Sequence, residues 1–360
     1  MLKKRMWLSA ALSALMIANT LPSGVMAAET ATAFDPGDTT EKPLILWYNK
    51  PSAKTADIID NSVLDRAGWD EYSLPIGNGY NGASIFGRLD TERVQIADKT
   101  LANPYRSDPT GKLGHSRGGL NSFADVYIDF NQDFDSASNY TRSLNIRDAV
   151  ATVDYEYDGV TYHREYIDSY PDNVIAIKIT ASKPGSVSFT LHPENPYVKD
   201  YGLTEGDGQG KTGTVSADAE NGRITLGGTM EYYQIQYETQ VQLINENGTI
   251  TGNDTTLTLN GADSAVIMIA LDTNYELESD VFTKAAKEKL ADKPHPHEKI
   301  TERLNTAVEK GYDSIKSDHI ADYKTYFDRM ELDLGGTFND TYPTDELVSK
   351  YKDGSINRRY

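Results

Sequence analysis

Three short stretches of this sequence carry side chains whose types and spacing could do chemistry. Asp129, Asn131, Asp133 and Asp135 place oxygen atoms at alternate positions, as a calcium-binding loop does. Such a loop needs glycine at its sixth position and a bidentate glutamate at its twelfth, where this chain has Phe134 and Tyr140. The spacing therefore reads as a strand end running into an acidic loop. Gly206-Asp207-Gly208-Gln209-Gly210-Lys211-Thr212 has the look of a phosphate cradle. Its first required glycine, however, falls on Glu205, and both flanks are strand-like where a helix should follow. A solvated glycine-rich hairpin loop is the better reading. His295-Pro296-His297 is the one close histidine pair. With no His-Glu-x-x-His and no cysteine, it reads as a solvated linker and no metal site is expected. His163 and His192 sit in strand-like runs as half-buried polar fillers, and no Gly-x-Ser-x-Gly elbow occurs. The 54 acidic residues permit the paired carboxyl groups of a glycoside hydrolase but single out no pair.

A fourth stretch, Trp69 to Arg88, combines an aromatic, an acid and the glycines Gly77, Gly79, Gly82 and Gly87. Glycines so placed let backbone approach a ligand closely, and Trp69, Asn78 and Tyr80 become candidate substrate-binding residues. The plainer reading is a tight double turn joining two core strands, with Ile85 and Phe86 buried; taken from the residues alone, that reading is preferred.

The elements that position these residues follow from periodicity. Between about Pro43 and Asn274, runs of period two such as 149–157, 160–167, 174–180 and 237–244 are rich in β-branched and aromatic residues. Turn dipeptides separate them: Asn78-Gly79, Asn81-Gly82, Asp158-Gly159, Asn221-Gly222, Asn247-Gly248 and Asn260-Gly261. Many short strands without intervening helices predict a large antiparallel sandwich over 43–278. A helical linker, 279–334, follows. It comprises a short helical run over Val281–Leu290, a face of Ile300, Leu304, Ala307, Val308 and Ile315, and a stripe of Ile320, Tyr323, Tyr326, Phe327 and Met330, with Gly311 as a break. Pro343-Thr344-Asp345-Glu346 is a helix start within 335–360, a region that reads as the truncated beginning of a further domain.

At the other end, Lys3, Lys4 and Arg5 precede an apolar stretch to Leu21 and the small-residue ending Val25-Met26-Ala27. This is the pattern of an export signal cut near Ala27, with 28–42 a polar leader and the protein secreted or extracytoplasmic. The net charge of −19 becomes more negative once the signal's basic residues are removed. So acidic a chain is a poor ligand for nucleic acid or an anionic membrane surface, and no second apolar run is long enough to span a bilayer. Absence of cysteine excludes disulfides and thiol chemistry.

Collinear motifs then carry a family resemblance. Leu46-Trp47-Tyr48, Leu74-Pro75-Ile76-Gly77-Asn78-Gly79 and Gly82-Ala83-Ser84-Ile85-Phe86-Gly87 are similar to the opening of glycoside hydrolase family 95, the inverting α-L-fucosidases and their relatives. Further matching stretches include Ile96 to Leu101, Asn121 to Phe130, Asp148 to Val153, Ser169-Tyr170-Pro171-Asp172, His319 to Tyr323 and Pro343 to Glu346, so the resemblance covers nearly all of 43–350. Tyr80-Asn81 stands where the family usually has arginine and leucine. Ala97-Asp98 and Ala102 replace its usual Asn-Glu and Trp.

The resemblance implies a β-supersandwich, a helical linker and then an (α/α)6 barrel that carries the active site. The family's general acid glutamate and its water-activating asparagine and aspartate residues belong to that barrel. No position here corresponds to them, so no catalytic residue is assigned. It also implies fucosylated or related glycans as substrates of a full-length enzyme, a mechanism without a cofactor, and packing of the linker helices on the barrel, with Tyr323, Tyr326 and Phe327 in the contact. The alternative is a non-catalytic carbohydrate-binding or surface module, whose 23 tyrosines could stack on sugar faces.

Overall fold

Alternating apolar and polar residues become strands that pair almost wholly antiparallel. The computed structural model describes residues 44–52, 73–103, 119–196, 211–230, 232–285, 288–332 and 341–355. Among them, nine strands form one sheet in the order β1 (Ile45–Tyr48), β6 (Ser138–Asn145), β7 (Val150–Tyr157), β8 (Val160–Ser169), β9 (Val174–Ala181), β16 (Ser264–Thr273), β13 (Ile235–Glu246), β12 (Arg223–Met230), β11 (Thr212–Asp218). A seven-stranded sheet runs β14 (Thr249–Gly252), β15 (Leu257–Ala262), β10 (Val187–Glu194), β5 (Gly119–Asp129), β4 (Thr91–Asn103), β3 (Asn81–Ile85), β2 (Leu74–Gly77). The two sheets make the expected antiparallel β-sandwich, and a few helices follow it. Among the described residues these helices form no barrel.

The inner faces meet in a core that includes Ile85, Val94, Ile96, Phe123, Ile128, Tyr155, Ile177, Leu191, Leu226 and Ile267. Each such side chain contributes about 1.5–3 kcal/mol by leaving water. One ion pair crosses this core. Glu92 on β4 and Arg164 on β8 are both wholly buried, with Nη1 3.3 Å from Oε2. Both charges draw further hydrogen bonds, as buried charges require, although Arg164 Nε is left without an acceptor. Glu92 Oε1 accepts from the backbone N–H groups of Phe86, Gly87 and Arg93 at 3.2, 3.0 and 3.1 Å. Arg164 Nη2 donates to the Arg88 carbonyl at 2.9 Å, and its guanidinium lies over the Phe130 and Tyr155 rings.

The nine-stranded sheet is buried on its other face as well. Val174, Ile175, Ala176 and Ile177 are consecutive and all buried, the mark of a strand covered on both sides. Its outer cover is α2 (His297–Lys310) and α3 (Tyr312–Phe327), which bury Ile300, Leu304, Ala307, Tyr312 and Ile315 against Val150, Ile167, Ala176, Met268 and Ala270. Gly311 joins the helices with φ +79°, a left-handed value that suits glycine. The helix start expected at Pro343 is α4 (Thr344–Lys352). It sits at the sheet edge, where the Trp47 N–H donates to Thr344 Oγ1 at 3.0 Å.

Three expectations need correction. The run Val281–Leu290 is not one helix: α1 covers Asp280–Thr283 and ends on extended Lys284. Val281 and Leu290 are both buried, yet nine positions at about 100° each put them on opposite sides of any helix. The chain therefore turns to bury both. The stripe ending at Met330 is likewise not all on one helix, because α3 stops at Phe327; Tyr326 and Met330 are exposed. Tyr323 instead donates to the Ile146 carbonyl at 2.8 Å and stacks on Phe327, while Arg329 lies over Tyr326. Finally, Asn81-Gly82 is no turn but lies within β3, where Gly82 pairs with Gly77 and Ala97.

Candidate functional site

Residues 73–88 include the hairpin β2–β3, with one turn where the plainer reading has two, and with Ile85 and Phe86 buried as that reading holds. Trp69 lies outside the described residues. Gly79 occupies the left-handed region at φ +87° at the tip. Asn78 builds that tip: its Oδ1 accepts from the N–H groups of Tyr80 and Asn81 at 2.8 and 3.0 Å. Its Nδ2 donates to the Ser169 carbonyl and to Asn173 Oδ1, at 3.3 and 3.0 Å, fastening the hairpin to the β8–β9 turn. Asn78 is therefore a positioning residue whose polar atoms are already engaged.

Tyr80 is 44% exposed, and its ring also carries contacts. Lys99 Nζ stands 3.6 Å from its centroid, and the Tyr170 ring is stacked at 5.8 Å with an interplanar angle of 13°. Lys99 is itself held by donating from Nζ to the Gly79 carbonyl at 3.3 Å. Tyr170 is 49% exposed, so the rim presents two parallel rings and an ammonium drawn from three separate strands and turns. Such a patch can meet the C–H face and hydroxyls of a sugar ring.

Beneath the tip lie two buried carboxyl groups. With its amide turned to donate, Asn81 places Nδ2 2.8 and 3.0 Å from the two Asp168 oxygens. Burial pushes the Asp168 carboxyl well above the usual range, and Asp98 adds like-charge repulsion. Asp98 is raised by burial too, against the opposing hydrogen bonds of Thr100. These carboxyls do not reach solvent, being 1% and 6% exposed, so neither can protonate a glycosidic oxygen. The pair is structural.

The other sequence candidates fall as follows. Asp129 accepts from Thr91 Oγ1 at 2.7 Å and pairs with His192 at 2.9 Å, while Asp133 caps the 3-10 turn Phe134–Ser136. Their oxygens thus serve a strand end and a cap. Of the glycine-rich loop, 206–210 lie outside the described residues, and strand β11 begins at Thr212. Lys211 is not solvated, contrary to expectation. It is buried and donates to the Ser122 and Pro196 carbonyls at 2.8 and 3.0 Å, and burial pushes its ammonium down to about 7. His297 is no free linker residue either, since it opens α2 and its Nδ1 lies 2.8 Å from the buried Glu238 carboxylate. His163, in contrast, is the half-buried residue expected, bonded to Asp154 at 2.5 Å.

Several known proteins are similar to parts of this chain. Residues 105–278 match the N-terminal domain of glycosyl hydrolase family 65. The chain is 26% identical over 365 aligned positions to "Alpha-L-fucosidase 2" of Arabidopsis thaliana, covering 88% of this chain and 40% of that protein. It is 25% identical over 320 positions to "Probable alpha-fucosidase A" of Aspergillus niger, covering 78% and 38%. A solved structure, a putative kojibiose phosphorylase from the human microbiome, aligns with 70% of this chain and 35% of its own at a TM-score of 0.47 and 10% identity. The chain thus spans about 40% of the length of the curated relatives it matches. With the sandwich, its helices and these matches together, the chain carries a family 65-type N-terminal domain of the glycoside hydrolases and is homologous over most of its length to α-L-fucosidases, as its family 95 motifs imply.

Proposed function

We propose that this chain is the N-terminal part of an exported glycoside hydrolase of the α-L-fucosidase type. The complete enzyme hydrolyses terminal α-L-fucosyl or α-L-galactosyl linkages of glycans with inversion, using a carboxylic acid and a base on opposite sides of the scissile bond. In this reading the sandwich and helices support a catalytic domain, and the Tyr80–Tyr170 rim contributes to glycan contact from its side. The observation that carries the reading is the match to two named α-fucosidases over 88% and 78% of this chain. The catalytic acid and base that the family resemblance implies have no counterpart in this chain, so the chain alone is expected to be inert.

The test is direct. Residues 28–360 are purified and assayed with 4-nitrophenyl α-L-fucopyranoside and its α-L-galactoside counterpart. No nitrophenol release above the blank is expected. Sustained turnover that co-purifies with the chain would overturn its assignment as a non-catalytic part.

A further inference from the structure

The helices cover the nine-stranded sheet only in part. Beyond α2, on the side of β11 and β12, a trough of about 440 Å³ opens between the β11–β12 hairpin, β13 and Asn305 of the helix. Ser216, Asp218, Asn221, Arg223, Gln242 and Asn305 line it, and every lining side chain except Ala217 ends in a hydrogen-bonding group. Ser216, Asp218, Asn221 and Asn305 are exposed, so the trough is open to solvent.

Its polar groups are held in place before any ligand arrives. Arg223 donates from Nε to Gln242 Oε1 at 2.9 Å and from Nη2 to Asn305 Oδ1 at 2.7 Å. Gln242 Nε2 ties down the hairpin turn by donating to the carbonyls of Asn221 and Gly222 at 2.7 and 3.1 Å. Asp218 takes the Asn221 N–H at 3.1 Å and its Nδ2 at 2.7 Å. Asp218 and Arg223 are also register partners across β11 and β12, which sets a carboxylate acceptor beside a guanidinium donor. Preorganised donors and acceptors lower the ordering cost of binding.

The chemistry of the lining selects the ligand class. The single cation is offset by Asp218, and the chain carries a net charge of −19, so a phosphate or other polyanion is disfavoured. An apolar ligand would find only Ala217 as an apolar partner in the lining. A hydroxyl-rich neutral molecule suits it, because one hydroxyl can donate to Asp218 while its neighbour accepts from Arg223. The volume lies within the roughly 300–1,000 Å³ of small-ligand sites.

We infer that this trough binds a neutral saccharide segment the size of a mono- or disaccharide, as an auxiliary site separate from the Tyr80 rim. The inference stands on the lining and does not depend on the hydrolase reading. Without an aromatic platform the affinity is weak, with Kd on the order of 1 mM.

Saturation-transfer NMR on the purified chain tests this, with 2′-fucosyllactose, a xyloglucan heptasaccharide and free galactose as the probes. At least one probe is expected to show transfer. Asn305→Ala and Ser216→Trp, both at exposed positions that leave the core untouched, should each weaken it by about fivefold or more, roughly 1 kcal/mol. All of these measurements use a Tyr80→Ala background, which removes the rim's own contact with glycan. Transfer to galactose marks a single-sugar site and transfer to the oligosaccharides alone a chain-binding one, and either supports the inference. Absence of transfer to all three probes in that background overturns it, as does transfer that survives both trough substitutions. Fucoside turnover is not the readout, so failure here leaves the hydrolase reading to its own assay.

Discussion

The two faces of the nine-stranded sheet are closed by different means, and the difference separates what holds the fold from what meets other molecules. The inner face is sealed by a second sheet, so completely that an ion pair between Glu92 and Arg164 sits in it without exposure. The outer face is sealed only under α2 and α3, across strands such as β8, β9 and β16. Past Asn305 the cover ends and polar side chains replace the apolar ones. Burial on the inside makes each polar group depend on protein partners, and few are left without one. Partial cover on the outside leaves preorganised polar groups facing water.

Breaking the inner face should have the larger effect. Arg164→Met removes one partner of a wholly buried pair and leaves the Glu92 carboxyl buried without its countercharge, for an expected loss of roughly 3–5 kcal/mol. Urea unfolding of the variant should show this as a lower midpoint with an unchanged slope. A loss under about 1 kcal/mol would mean that the three backbone donors to Glu92 suffice without the arginine. On the outer face, Leu304→Ala leaves a void beneath α2, where one side of the helix can still relax toward solvent. A loss of about 2–3 kcal/mol is expected, near the low end for leucine truncation. Hydrogen exchange should sharpen the contrast: amides of α2 should exchange faster, while those of β5 and β9 change less.

Much of this contrast could be read in the sequence. Period-two runs named most of the sheet, since each strand has at least one face committed to the core, whereas 174–180, read as such a run, proves buried on both faces over Val174–Ile177. The helix pair was legible through Ile300, Leu304, Ala307 and Ile315, although α3 turned its N-terminal half inward and left Tyr326 in solvent. Asn78 and Tyr80 stood out because a glycine-rich tip is a local signal. Tyr170 and Lys99 complete that rim but reach it through sheet register, and nothing in their own neighbourhoods announces it. The trough is less legible still. Arg223 and Asn305 touch across 82 positions, and no spacing rule connects a hairpin residue to a helix that docks later in the chain. Lys211 was misjudged for the same reason, because its carbonyl partners belong to other strands and turns.

The smallest expected effect is the dependence of outer-face docking on pH. His163 and Glu165 on β8 meet Lys316 and Tyr312 of α3, with Tyr312 donating to Glu165 at 3.1 Å and Lys316 paired to its other oxygen. Burial opposes the charge on His163, but hydrogen bonds to Asp154 and Glu165 outweigh it and raise the imidazole from 6.5 to about 9. Burial likewise opposes ionisation of Glu165, yet His163 and Lys316 lower it from 4.5 to about 2. The histidine's contribution is then complete below pH 6.5 and fades as pH rises through 9; the glutamate's is complete above pH 4.5 and fades as pH falls through 2. Helix docking should be firmest between these limits, at pH 4.5–6.5. The urea midpoint of His163→Gln should lose the alkaline part of the slope and keep the acid part. An alkaline slope that persists undiminished in this variant would place the titration elsewhere, and the Asp154–His163–Glu165 chain would then be packing without a proton linkage.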